Sequence, residues 1–252
     1  MVTAEGTVKI AAISEHFGVS AMTIRRDLEV LEAQNILRRT RGQATAMASS
    51  LFESSTFFRQ TQNIESKTSL ARAALELINP GSTLMLDDST TGVYLARLLN
   101  QRAPLTVVTN FLSVAIELLK EPGITLNILG GQYYRWCNAT LGGTTVDAIR
   151  KLRVDTLVMS TSAIIDHTCF HHAQETHLIK RAMFESAAQR VLYVDHTKFE
   201  RRALNALVPI TDFDAVIVDD LTHAEHIDYL REHGTRVIVC HPSTPISSAS
   251  TS

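Results

Sequence analysis

Five arginines crowd residues 25 to 41: Arg25 and Arg26 side by side, then Arg38, Arg39 and Arg41, against Asp27, Glu29 and Glu32. Guanidinium groups can fork onto guanine edges or hold phosphates, and spacing does not say which does which. A second set is rich in hydroxyls and glycine. "LDDSTTG" brings together Asp87, Asp88, Ser89, Thr90 and Thr91, "VTN" adds Thr109 and Asn110, and "LGG" occurs at Gly130 and Gly131 and again at Gly142 and Gly143. Lys180 with Arg181, and Asp195 with Lys198 in "DHTKF", complete it. Hydroxyls and free amides at the start of a helix favour an anion such as phosphate. A third set, "CFHHAQETH", gathers Cys169, His171, His172, Glu175 and His177, all able to bind zinc. Their spacing matches no closed structural zinc site, so no metal and no other cofactor is assigned. His171 and His172 read either as residues capping a ligand pocket from a loop or as surface histidines. Cys137, beside Trp136, reads as a reactive thiol or, more commonly, a buried structural cysteine.

The arginines need a scaffold, and the pattern around them supplies one. Ser20 is a good N-cap for a helix whose Ile24, Leu28 and Leu31 recur at i, i+4 and i+7. At about 100° per residue, Met22, Arg25, Arg26 and Glu29 face the other way. Upstream, "VKIAAISEHF" predicts a shorter helix offering Ile10, Ile13 and Phe17 for packing, and Gly18 turns the chain between the two. Helix, tight turn and capped second helix form the helix-turn-helix pattern, whose second helix enters the major groove by its N-terminal half. "ILRRTRG" then alternates Ile36 and Leu37 with arginine before Gly42, as a basic hairpin would. The bland reading is a solvated face of Arg–Glu pairs. Cap, turn, stripe and hairpin together favour DNA.

From residue 66 short apolar strands alternate with amphipathic helices, which argues an α/β domain with a largely parallel sheet. In such sheets ligands sit beyond the carboxyl ends of the strands, where the polar turns fall. The expected organisation is 1–46 for DNA binding, 47–65 as a linker loosely packing Phe52, Phe57 and Phe58, 66–240 for sensing and 241–252 as a disordered tail. At 252 residues, 45% hydrophobic and 20% charged, the chain can bury a sizeable core. Its net charge of -2 excludes general coating of nucleic acid, so any such contact is a local patch. No apolar run approaches a membrane span, the first residues lack the features of a signal peptide, and three scattered cysteines suit a reducing cytoplasm.

The segment "FGVSAMTIRRDLEVLEAQNILRRTRGQA", and "VSAMTIRRDL" within it above all, resembles the DNA-binding segment of the DeoR family of bacterial transcriptional regulators. Residues 65 to 220 resemble that family's sensor domain, similar in fold to ribose-5-phosphate isomerase and acyl-CoA transferases. The resemblance implies a winged helix with residues 20–34 as recognition helix. It implies operator contacts from Ser20, Met22, Thr23, Arg25, Arg26, Arg38, Arg39 and Arg41. It also implies a phosphorylated sugar or related metabolite held by Asp87, Ser89, Thr90, Thr91, Thr109, Asn110, Gly130, Gly131 and Lys180. The expected protein is a cytoplasmic repressor of carbohydrate-metabolism genes, a dimer or tetramer, without catalysis. The departures are specific. "MVTAEG" is too short for the helix that usually comes first, and "TRGQA" stands where the family commonly has His-Gly-Gly. "DDSTT" replaces Asp-Ser-Gly-Thr-Thr, adding Asp88, and Ser160, Thr161, Ser162 and Ala163 replace Gly-Ala-Asp-Gly, losing a carboxylate. The rival readings are an isomerase-like enzyme, which would need a general base beside the ligand, and a sensor that no longer binds DNA.

Overall fold

The computed structural model describes residues 1–2, 7–33, 37–46 and 56–241. The first residues up to 6 in part, Gln34, Ile36, the linker segment 47–55 with Phe52, and the tail from 242 onward lie outside the described residues, as do the side chains of Phe57 and Phe58. The chain divides into two compact units, residues 1–62 with 134–138, and residues 63–133 with 139–252.

In the smaller unit, strand β1 (Thr7–Lys9) leads into helix α1 (Ile10–Phe17), then α2 (Ala21–Ala33) and the hairpin β2 (Leu37–Thr40) and β3 (Gln43–Ala46). The three strands form an antiparallel sheet in the order β1-β3-β2. Val8, Ile10, Ile13, Ile24, Leu28, Leu37 and Ala44 make the core, with Leu31 partly buried against it. Helix α1 stops at Gly18, whose φ of 65° is a left-handed conformation that glycine adopts without Cβ strain. Three expectations change. "TVK" is strand rather than helix, because its amides pair with β3. Phe17, expected in the core, is 61% exposed: it is the last residue of α1, next to the turn at Gly18. Residues 56–61, read as linker, form a short helix, α3 (Thr56–Thr61).

The larger unit is built on a seven-stranded sheet in which every pairing is parallel. Its elements in chain order are α4 (Ile64–Leu75), β4 (Thr83–Leu86), α5 (Thr90–Ala96), β5 (Leu105–Thr109), α6 (Leu112–Leu118) and β6 (Ile124–Ile128). A small hairpin follows, β7 (Gln132–Tyr134) and β8 (Ala139–Leu141), then α7 (Gly143–Arg150), β9 (Val154–Met159), β10 (Ala163–Ile165) and β11 (Thr168–His171). The rest are α8 (Gln174–Ser186), β12 (Ala187–Val194), β13 (Asn205–Pro209), β14 (Ala215–Asp219), α9 (Ala224–Glu232) and β15 (Arg236–Cys240). The sheet order is β15-β14-β12-β9-β4-β5-β6, while β10, β11 and β13 make a separate antiparallel sheet. The chain therefore starts in the middle at β4, winds outward through β5 and β6, then returns to β9 and winds the other way. Between β4 and β9 the winding reverses, and at such a point the strand ends diverge and leave a crevice. The run "DTLVMSTSAI" is broken at Ser160–Ser162, between β9 and β10, which lets β10 leave the main sheet.

Gly131 fits this frame in only one way. Its φ is 151°, and a Cβ there would lie 2.0 Å from Thr145 Oγ1 and 2.9 Å from the Leu141 carbonyl. A Cβ on neighbouring Gly130 meets nothing within 4 Å. Gly131→Ala is expected to destabilise by about 1–3 kcal/mol, read as a lower urea midpoint, with Gly130→Ala much closer to wild type. Adding Thr145→Ala should recover only part of the loss, because the Leu141 carbonyl remains.

Candidate functional site

Two sets of residues carry the chemistry, one in each unit. In the smaller unit Ser20 Oγ accepts the Thr23 amide at 3.1 Å and lies 2.9 Å from the Thr23 hydroxyl, capping α2 where its spacing predicts. Ile24 and Leu28 turn inward, leaving Met22, Thr23, Arg25 and Arg26 exposed on the opposite face. Arg38 and Arg41 on the hairpin are exposed as well. Arg39 differs. Its amide and Nε donate to the two oxygens of Glu32 at 2.8 and 2.7 Å, and its Nη1 donates to Glu29 at 2.9 Å and to the Arg25 carbonyl at 3.2 Å. The Arg39 amide and guanidinium hold the Glu32 carboxyl below its usual range. The three hairpin arginines therefore split: Arg38 and Arg41 face solvent, while Arg39 clamps β2 to the exposed side of α2.

In the larger unit charged groups gather at the carboxyl ends of β4 and β9. Lys180, on α8, is 2% exposed, and its Nζ contacts Asp87 Oδ2, Asp88 Oδ1 at 3.1 Å and the Ser160 carbonyl at 3.1 Å. Burial alone would lower its pKa, but Asp87 and then Asp88 outweigh that and raise it, so it stays an ammonium. Asp87 is fully buried and also accepts the Ser89 amide at 3.1 Å and the Ser160 amide at 2.9 Å. Ser89 caps α5 through the Gly92 amide and shares a 2.6 Å hydrogen bond with the Tyr193 hydroxyl. Burial, then Asp87, pushes that phenol well above its ordinary range, so it remains protonated. Tyr193 carried no sequence signal, because it stands in the apolar strand "RVLYV". Ser160, noticed only as a departure, acts through its backbone.

The remaining expected residues are placed as follows. Thr90 and Thr91 are buried in the first turn of α5. Asn110 lies beside Asp87 as β5 runs beside β4; its Nδ2 donates to the Thr140 carbonyl at 2.9 Å. Thr109 Oγ1 accepts the Phe111 amide at 3.1 Å, and the Gly130 carbonyl accepts the Thr145 hydroxyl at 2.8 Å. Arg181 is not with Lys180: it turns outward to Glu185 at 2.7 Å and the Leu207 carbonyl at 3.1 Å, as adjacent helical positions diverge. Asp195 accepts from Asn63 Nδ2 at 3.2 Å and from Thr197. Burial raises its pKa, but Lys198 and the Thr197 hydroxyl, with Arg201 and Lys67, bring it below the usual range. The metal-like cluster disperses. Cys169 is buried in β11 with its thiol pushed up to about 12 by burial. His171 is 3% exposed and stacked on His172 at 4.4 Å, so it is no surface loop residue. Among the described residues no three histidine, cysteine or acidic groups are placed to hold a metal. Cys137 is buried.

A capped helix with an outward basic face in one unit, and a parallel sheet with a polar switch point in the other, define a class: a DNA-binding module joined in one chain to a ligand-sensing α/β unit. The DeoR-like helix-turn-helix model matches residues 1–50 and the DeoR C-terminal sensor model residues 62–220. The chain belongs to the DeoR family of transcriptional regulators. It is 32% identical over 241 residues to the glycerol-3-phosphate regulon repressor of Escherichia coli K12, covering 95% of each chain. It is 28% identical over 238 residues to the lactose phosphotransferase system repressor of Lactococcus lactis, covering 93% of each. Among solved structures it matches ribose 5-phosphate isomerase A from Methanocaldococcus jannaschii at 17% identity and a TM-score of 0.41 over 55% of each chain.

Removing the ammonium would leave two buried carboxylates side by side. Lys180→Met is expected to cost roughly 3–5 kcal/mol of unfolding free energy, measured by urea denaturation. Asp88→Asn in that background should return part of the loss, because it removes one of the facing charges. A cost within experimental error of zero would mean that the cluster does not hold the fold together.

Proposed function

We propose that this chain represses carbohydrate-metabolism genes by binding operator DNA through its smaller unit and releasing it when a phosphorylated sugar-like effector occupies the larger one. The observation that carries the DNA half is the split of α2 into a buried apolar stripe and an outward row of Ser20, Met22, Thr23, Arg25 and Arg26. The major groove is read by such a helix, and Arg38 and Arg41 on the hairpin suit the flanking phosphates. Operators of this kind are read by symmetric oligomers, so a dimer or tetramer in the cytoplasm is the working form. Among the described residues no helix is long and apolar enough to cross a membrane.

The sensing half is supported by the buried Asp87–Lys180 pair at the sheet's switch point, and we assign Thr90, Thr91, Thr109, Asn110, Gly130 and Gly131, which follow the carboxyl ends of neighbouring strands, to the same site. An isomerase would need a carboxylate available to take a proton from carbon. Asp87 is instead engaged by two backbone amides and an ammonium, which favours a sensor over an enzyme. Control of DNA affinity then requires the effector to bind the DNA-free form more tightly than the DNA-bound form.

Affinity for a DNA selected from a random pool by the protein itself, followed against salt, tests the DNA half. The logarithm of affinity should fall linearly with the logarithm of salt, and Arg38→Ala should lower that slope by about one. Arg25→Ala or Arg26→Ala should weaken binding by about tenfold or more where the side chain reads a base. Arg39→Ala should weaken binding with the slope nearly unchanged, since its charge is engaged by Glu29 and Glu32. Binding that none of these substitutions affects would contradict the interface.

A further inference from the structure

An ammonium offers three protons, and those of Lys180 meet Asp87 Oδ2, Asp88 Oδ1 and the Ser160 carbonyl. A phosphate could be held by this lysine only by taking a proton from one of those acceptors, and it would face two carboxylates while doing so. Two carboxylates and one ammonium sum to a charge of minus one, all at 2% exposure or less. The nearby side chains add acceptor capacity. Asn110 is fully buried on the strand end beside Asp87, and its Oδ1 has no partner among the described residues. Thr176 is fully buried one helical turn before Lys180, on the same face of α8, and its Oγ1 likewise has no partner among the described residues. A buried amide oxygen without a donor costs free energy until something supplies one. The centre of the site is therefore suited to a group that brings protons and positive charge.

We propose that the effector is a phosphorylated polyol that also carries a protonated amine, and that the amine is received by the Asp87–Asp88 pair together with Asn110 Oδ1. This rests on the sugar-phosphate reading above and adds the amine to it. The phosphate is held away from the carboxylates, and the ammonium gives the selectivity. A neutral hydroxyl at the same position offers a donor without the charge, and an acetamido group offers one N–H and extra bulk.

The test is binding of the full chain, by calorimetry and thermal unfolding, to triose, pentose and hexose phosphates. Each is presented as its amine, N-acetyl and hydroxyl form, for example glucosamine 6-phosphate, N-acetylglucosamine 6-phosphate and glucose 6-phosphate. The pH is kept below that at which the amine loses its proton. One amine is expected to bind at least about tenfold more tightly than its hydroxyl and N-acetyl counterparts, the size of one charge-assisted hydrogen bond. In Asp88→Asn, which keeps the side chain's shape, that preference should fall severalfold or more. The wild-type comparison stands on its own if the variant does not fold. Phosphorylated sugars that bind with no preference for the amine, or with a preference that Asp88→Asn leaves intact, would overturn this inference and leave the sensor reading standing. Failure of every phosphorylated compound to bind would overturn both.

Discussion

One buried ammonium holds the sensing unit's active edge together. Lys180 reaches from α8 to the ends of β4 and β9, where the winding of the sheet reverses, and Tyr193 of β12 joins through Ser89. Taking these charges out of water is costly, and it is tolerated because Asp87 and Lys180 each have several hydrogen-bonding partners. The same arrangement fixes what the site can do. With its protons engaged the lysine organises the carboxylates, and Asp87 in turn orients the amides of Ser89 and Ser160. A ligand that offers protons to this cluster would bind to an existing arrangement; one that competes for Lys180 would have to dismantle it.

The smaller unit depends on a comparable division of labour at lower cost. Ser20 starts α2, Gly18 ends α1, and Ile24 with Leu28 fixes which side of α2 is hidden. Arg39 is the half-buried counterpart of Lys180: a cation whose task is to hold one element against another. Because it sits at the surface its ion pairs are screened, and its value lies in geometry more than in stability. It sets where Arg38 and Arg41 stand relative to Arg25.

What could be read from the sequence follows from the range of each interaction. The cap at Ser20, the stripe through Ile24 and Leu28 and the strand–helix alternation are local, and the structure has them where the pattern puts them. The pairing of Lys180 with Asp87 spans 93 positions, so no spacing reveals it; only the positions of both at the sheet edge bring them together. Arg39 looks like Arg38 and Arg41 until Glu29 and Glu32 are placed on the facing helix. Tyr193 is hidden because an aromatic residue in an apolar strand reads as core, and it is core apart from its hydroxyl. The strand at Thr7–Lys9 reads as helix because three residues are too few to separate a helical period from a strand, whereas Phe17 lies in the expected helix and only its burial differs. The break at Ser160–Ser162 carries no glycine or proline to mark it, so the apolar residues on both sides give no local sign that the strand ends.

The central claim is that occupancy of the polar switch point alters the affinity of α2 and its hairpin for DNA. The most direct measurement is fluorescence anisotropy of a labelled DNA, selected by the protein itself, titrated with and without a sugar phosphate that raises the protein's unfolding temperature. The account predicts that the ligand weakens DNA binding by about 5- to 150-fold, and that DNA weakens ligand binding by the same factor. Identical DNA affinity with the ligand absent and at saturation would contradict it.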